Sequence, residues 1–122
     1  MDCALNFKPG QIVSLECGDA CLHSEVIQVV EVRQVCWVRP LMLVVLVSGK
    51  DSPEEYTLSD LRDGADLLWP GSLFRAAFDT EVISLLTELQ SLDSEKKDGA
   101  IASRQLRDFV DRVWEAFPSA FH

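Results

Sequence analysis

Hydrophobic positions follow two different rhythms along this chain. Up to about residue 70 they come in short Val-, Ile- and Leu-rich runs broken by turn residues; after about residue 78 they recur three and four positions apart. Met1–Gly10 reads as an arm ending in the turn signal Pro9-Gly10. Gln11 to Glu16 predicts a strand, and Cys17-Gly18-Asp19-Ala20-Cys21 a turn in which Gly18 takes a positive φ. Leu22 to Val32 predicts a long strand whose alternation is broken, with Leu22, Ser24, Val26, Gln28 and Val30 on one side and Glu25, Ile27, Val29 and Glu31 on the other. A bulge accounts for that mixture. Arg33-Gln34 is the expected hairpin turn, although it lacks Gly or Asn. Val35 to Val38 returns as a strand, Pro40 marks a break because it cannot donate to the ladder, and Leu41 to Val47 resumes with apolar residues on both faces. That last run needs cover on both sides, from helices, a second layer or another subunit. Ser48 to Glu55 predicts a polar loop, Tyr56 to Leu58 a short strand and Asp66 to Trp69 a final one.

In the back half, Asp79 or Thr80 caps a helix with Glu81 in its first turn, and Val82, Ile83, Leu85, Leu86 and Leu89 form its apolar stripe. Asp93 to Gly99 is a charged linker. A second helix is expected from about Ala102 to Phe117, stopped by Pro118, with Leu106, Phe109, Val110, Val113, Trp114 and Phe117 on one face and Arg104, Arg107, Asp108, Asp111 and Arg112 largely on the other. The prediction is one α+β domain over 1–122: a small, strongly bent antiparallel β-barrel of four to five strands at about 10–70, followed by two C-terminal helices within about 73–118. This layout resembles the SH3-like and Sm-like barrels in pattern. The stretch Asp66-Leu67-Leu68-Trp69-Pro70-Gly71-Ser72-Leu73-Phe74-Arg75, running on into Asp79-Thr80-Glu81-Val82-Ile83, resembles small cyanobacterial proteins of unassigned function, a likeness that supplies no activity.

Charge narrows the partners. The chain carries 11 Lys and Arg against 20 Asp and Glu, a net charge of −9. Nucleic-acid binding draws on clustered cations against phosphates, and anionic membrane surfaces repel an acidic protein. A basic protein partner fits this balance better. The segment Asp51–Asp66 concentrates the effect, with Asp51, Glu54, Glu55, Asp60, Asp63 and Asp66 against Arg62 alone, six acids less one base giving −5. It reads first as a solvated, solubilising surface and second as a docking surface for a basic partner. Asp2 stands where a secretory leader would be positive, and the longest apolar run, Leu41–Val47, is too short to span a bilayer. A cytoplasmic protein is expected, with Cys3, Cys17, Cys21 and Cys36 reduced.

The sharpest cluster of reactive residues is Cys17-x3-Cys21-x-His23. Its donors and spacing suit tetrahedral zinc, with a fourth ligand from Cys36, Cys3 or an acid. A hairpin sets Cys17 and Cys21 facing across the turn, within disulfide reach. Against these stands the plainer reading of small residues flanking a turn, with His23 on a wet face, and it is preferred. Nucleophilic catalysis by Cys21 is disfavoured by reading it and His23 as pointing to opposite faces; His122 is the other histidine. With no phosphate loop, nucleophile elbow or metalloprotease helix in the sequence, no enzyme and no cofactor are expected.

Trp37, Trp69 and Trp114 read as core or near-core residues, and an aromatic groove for a Pro-rich peptide is the less favoured alternative. Trp114, Phe117 and Phe121 also make the last helix a candidate contact for a second copy of the chain, although packing on its own sheet is preferred. The function expected is a non-catalytic protein-interaction or assembly module, with Asp51, Glu54, Glu55, Asp60, Asp63, Trp114 and Phe117 as candidate partner-binding residues. An RNA-binding small barrel, which requires Lys8, Arg33 and Arg39 on one face, is the first alternative. A thiol or zinc site at Cys17, Cys21 and His23 is the second.

Overall fold

The computed structural model describes residues 7–46, 56–62, 64–92 and 99–121. Six strands and two helices follow one another as β1 (Ile12–Cys17), β2 (Ala20–Val30), β3 (Val35–Leu46), β4 (Tyr56–Asp60), β5 (Leu67–Pro70), β6 (Arg75–Ala76), α1 (Asp79–Leu92) and α2 (Gly99–Ala116), with 3-10 turns at Gly71–Leu73 and Pro118–Phe121. All pairings are antiparallel, in the order β4-β3-β2-β1-β6, and β5 joins β3 on the edge it shares with β4. β3 is thus divided: Val35–Val38 pairs with β5, and Met42–Leu46 with β4.

The break expected at Pro40 is a bulge inside one continuous strand. Pro40 sits opposite Ser24, the register shifts between His23 and Ser24, and it shifts again between Val26 and Gln28. The first shift inserts Leu41 into β3 and the second inserts Ile27 into β2, so the second moves the later side chains of β2 to the other face and explains its broken alternation. The β2–β3 connection is four residues, Glu31–Gln34, rather than the two expected. Gln34 closes it at φ 57, the left-handed conformation that an L-residue adopts at a cost, and its side-chain amide donates to the Glu31 carbonyl at 2.7 Å. Gly18 has φ 62 in the tighter β1–β2 turn, as its sequence context required.

The sheet is curled. β5 and β6 lie four strand steps apart, about 19 Å across a flat sheet at about 4.8 Å per step. Only Gly71–Phe74 connects them, three of these residues in a 3-10 turn, giving a reach of about 13 Å. Curling brings the two edges within that reach. No pairing among the described residues joins β4 or β5 to β6, so a six-stranded open sheet stands where a four- to five-stranded barrel was expected.

The two helices take opposite faces of the sheet. On one face Val13, Leu15, Leu22, Val26, Cys36, Val38, Leu43 and Trp69 pack with Leu106, Phe109 and Val113 of α2 into the main core. The α2 stripe is narrower than expected: Trp114 is 52% exposed and Phe117 38%. On the other face α1 runs from Glu81 beside His23 of β2 to Glu88, which accepts a 2.7 Å hydrogen bond from the Tyr56 hydroxyl of β4. Val82 of α1 is buried, whereas Ile83, one position round the helix, is exposed. Part of the two-faced run in β3 has its cover within the chain: Leu43 belongs to the α2 core, and Met42, beside His23 in the ladder, is buried on the α1 face, while Leu46 is 47% exposed.

Candidate functional site

Beneath the start of α1 the sheet carries a polar group of residues drawn from four elements, with Ser14 and His23 buried within it. Strand alternation sends Val13, Leu15 and Cys17 of β1 into the α2 core and leaves Ser14 and Glu16 on the α1 face. The ladder then sets Ser14 opposite His23 and Glu16 opposite Cys21. β6 pairs Arg75 with Ser14, and the first turn of α1 adds Glu81. Ser14 Oγ and His23 Nδ1 are 2.7 Å apart, and both residues are fully buried. His23 Nε2 lies 3.7 Å from Glu81 Oε1. Arg75 donates to Glu16 at 2.7–2.8 Å and to Glu81 at 3.4 Å, with its guanidinium 5.8 Å from the centre of the Phe78 ring.

Burial sets the protonation of this group. It pushes the His23 imidazole below its ordinary value against the opposing pull of Glu81, so His23 is neutral and its approach to Glu81 is not an ion pair. Burial also raises the Cys21 thiol to about 11, with Glu16 adding to the effect, so Cys21 is a thiol at neutral pH. The Ser14–His23–Glu81 succession has the composition of a hydrolytic triad, but Ser14 has no exposed surface from which to reach a substrate. A recess lined by Ala20, Leu43, Val45, Gln105, Asp108, Phe109 and Arg112 lies on the α2 face, on the other side of the sheet from His23.

Several sequence expectations are corrected here. Cys17 pairs with Ala20 and belongs to the α2 core, so its side chain and that of Cys21 lie on opposite faces and do not oppose each other across the turn. Cys21 and His23, two positions apart, share a face rather than pointing apart, and His23 is buried rather than wet. Cys21 Sγ, a His23 ring nitrogen and a Glu81 oxygen lie within 4.8 Å of one another. The period of two was enough to put Cys21 and His23 together; nothing local in the sequence could bring Glu81, 58 positions further on, to meet them.

Of the residues expected to bind a partner, Asp51, Glu54, Glu55 and Asp63 lie outside the described residues. Asp60, at the end of β4, accepts from the Arg62 backbone at 3.0 Å and from its guanidinium at 2.9–3.0 Å, which commits it to holding that turn. Trp114 and Phe117 are on the exposed flank of α2. Among the described residues Arg39 meets Asp66, Arg62 meets Asp60, Arg75 meets Glu16 and Glu81, and Arg112 meets Asp19. Arg39, one of three cations the RNA reading needs, is among them.

A surface the sequence did not single out lies on the β2–β3–β5 corner. Behind it Cys36, Val38 and Trp69 face the core, so alternation turns Val35, Trp37 and Leu68 outward. Trp37 pairs directly with Leu68, and Val35 with Val30 and Pro70. Trp37 is 39% exposed, Leu68 58% and Val32, at the tip of the turn, 96%. The expectation of a near-core Trp37 therefore fails; Trp69, its neighbour on the opposite face, is the buried one. At the rim, Asp66 accepts from the Trp37 indole at 2.9 Å and from Arg39 at 3.3 Å, which fixes the ring in place.

The chain matches no family model, no curated protein and no solved structure. Among the described residues no helix is long and apolar enough to cross a membrane.

Proposed function

We propose that this chain is a non-catalytic, cytoplasmic protein-interaction module, built on a curled sheet of the SH3-like or Sm-like kind, and that its contact surface is the Trp37–Leu68 corner. The observation that carries this reading is a continuous apolar face over three strands: Val30, Val35, Trp37, Leu68 and Pro70, with Val32 at its edge. Exposed aliphatic residues scattered singly are ordinary, whereas a set made contiguous by ladder register around a tryptophan fits an interface core. The Asp66 clamp favours the same use, since a ring already held in one orientation loses less entropy when a partner covers it. The partner is a basic protein: a net charge of −9 steers a partner of opposite sign and opposes pairing with a second copy. Among the described residues Cys17, Cys21 and Cys36 are free, in agreement with a reducing compartment.

The test is a pull-down from native cell extract with the intact protein, Leu68→Asp and Trp114→Ala, alongside light scattering of the purified chain. The expected result is a monomer that retains a basic protein at low salt. That protein is lost with Leu68→Asp and kept with Trp114→Ala. Equal capture by the intact protein and Leu68→Asp overturns the assignment of the surface. A stable homodimer dissociated by Leu68→Asp overturns the basic partner.

A further inference from the structure

We propose that Cys21, His23 and Glu81 form a binding site for one zinc-class divalent ion. The first ground is geometric. Zinc bonds of about 2.0–2.3 Å in a tetrahedron require donor atoms roughly 3.3–3.7 Å apart. The His23 Nε2–Glu81 Oε1 separation of 3.7 Å is too long for a good hydrogen bond and stands at the edge of that range. All three donors lie within 4.8 Å of one another, so a side-chain adjustment of about an ångström suffices to complete the set.

The surroundings of His23 point the same way. Ser14 Oγ stands 2.7 Å from Nδ1, and the tautomer in which Nδ1–H donates to that hydroxyl leaves the Nε2 lone pair free toward Glu81 Oε1, 3.7 Å away. A partner on the second ring nitrogen is the usual support of a metal-bound histidine. The ring sits on a rigid, fully buried ladder position, while Cys21 is half-buried and the Glu81 side chain 28% exposed, so the ion has a way in from solvent.

Charge and proton balance follow. The ion displaces the Cys21 thiol proton to solvent and takes one thiolate, one carboxylate and one neutral imidazole, for a net charge of zero. Glu81 leaves its long 3.4 Å contact with Arg75, which keeps its 2.7 Å pair with Glu16. Water takes the fourth position. Cys17, on the other face, takes no part.

The test is titration of the purified, chelator-treated full chain with Co2+, followed by competition with Zn2+. One equivalent is expected to produce thiolate-to-cobalt charge-transfer absorption and tetrahedral ligand-field bands, both erased by one equivalent of Zn2+. Cys21→Ser abolishes the charge-transfer band, and Glu81→Gln, on the helix surface, weakens affinity by at least about tenfold, the lower end of what metal-site substitutions cost. Cys17→Ser leaves both signals in place. Far-ultraviolet circular dichroism establishes that each variant is folded; should Cys21→Ser be unfolded, Glu81→Gln decides the matter. No cobalt spectrum, unchanged affinity in Glu81→Gln, or a charge-transfer band that survives Cys21→Ser and vanishes in Cys17→Ser each overturns the site.

Discussion

Phe109→Ala measures how far α2 is part of this molecule's own core. Phe109 is the largest fully buried side chain among the described residues and packs against the strands from the middle of α2. Truncating a buried phenylalanine removes its transfer free energy and leaves a cavity, together about 3–5 kcal/mol. Phe109 also lines the recess on the α2 face, through which the site can relax, so the lower end, about 3 kcal/mol, is expected. A chain of 122 residues has a total stability of roughly 6–18 kcal/mol at about 0.05–0.15 kcal/mol per residue, so the variant folds but is clearly weakened. Phe117→Ala is the matched control, the same chemical change eight positions on, where the ring is 38% exposed; it should cost under about 1 kcal/mol. Urea unfolding followed by tryptophan fluorescence reads both. With a slope of about 1–3 kcal/mol per molar, Phe109→Ala moves the midpoint down by roughly 1–3 M and Phe117→Ala by much less. Equal losses in the two variants, or a loss below about 1 kcal/mol for Phe109→Ala, refute the placement of α2 on the sheet.

Three further outcomes follow from single positions. Gln34→Gly relieves a φ of 57 and gives up one exposed side-chain hydrogen bond, so it should stabilise by up to about 1 kcal/mol in the same urea assay; destabilisation contradicts the turn. Ser24 Oγ is buried with no hydrogen-bond partner among the described residues, so Ser24→Ala should be neutral or stabilising by up to about 1 kcal/mol, seen as an unchanged or raised melting temperature. Tyr56 is the sole tyrosine, so ultraviolet absorbance titration isolates it. Its hydroxyl donates to the Glu88 carboxylate, which holds the proton on, and its midpoint lies above the ordinary value of about 10 and returns toward it in Glu88→Gln. Because the folded value is the raised one, the stability this pair contributes is present below pH 10 and lost as pH rises through the folded midpoint.

Much of the fold was legible because short-range physics decides it. The Gly18 turn and the end of α2 before Pro118 each rest on a residue whose backbone preference leaves little choice, whereas α1 starts ahead of the expected cap, with Asp79 already helical and Phe78 accepting from the Val82 backbone at 3.0 Å. The irregularity of β2 was visible in its broken alternation, but its exact position at Ile27 was not, because a bulge is fixed by the partner strand. Continuous pairing carried β3 through Pro40, against the local preference of proline. β6 was invisible: two residues, Arg75–Ala76, carry no periodicity, and only their pairing with β1 makes them a strand.

The sites were less legible, since each depends on tertiary geometry. Cys21 and His23 stood out in sequence, yet the wrong third partner was attached to them: Cys17, near in sequence, faces away, and Glu81, remote in sequence, closes the group. Trp37 and Trp69 cannot be ranked by burial from the sequence, because both are strand tryptophans among apolar neighbours. The register decides it, pairing Trp69 with Cys36 on the core face and Trp37 with Leu68 outside. The acidic loop drew attention through its charge, which says how a partner approaches and leaves open where it docks.

Site-specific photo-crosslinking in living cells tests the proposed contact surface most directly. A photoreactive residue in place of Leu68 lies on the Trp37 face, and the same residue in place of Arg104 lies on the exposed flank of α2. A discrete, protease-sensitive and nuclease-resistant adduct with a basic protein is expected from position 68 and none from position 104. No adduct at 68, a nuclease-sensitive one there, or an adduct formed only from 104 contradicts the proposed surface.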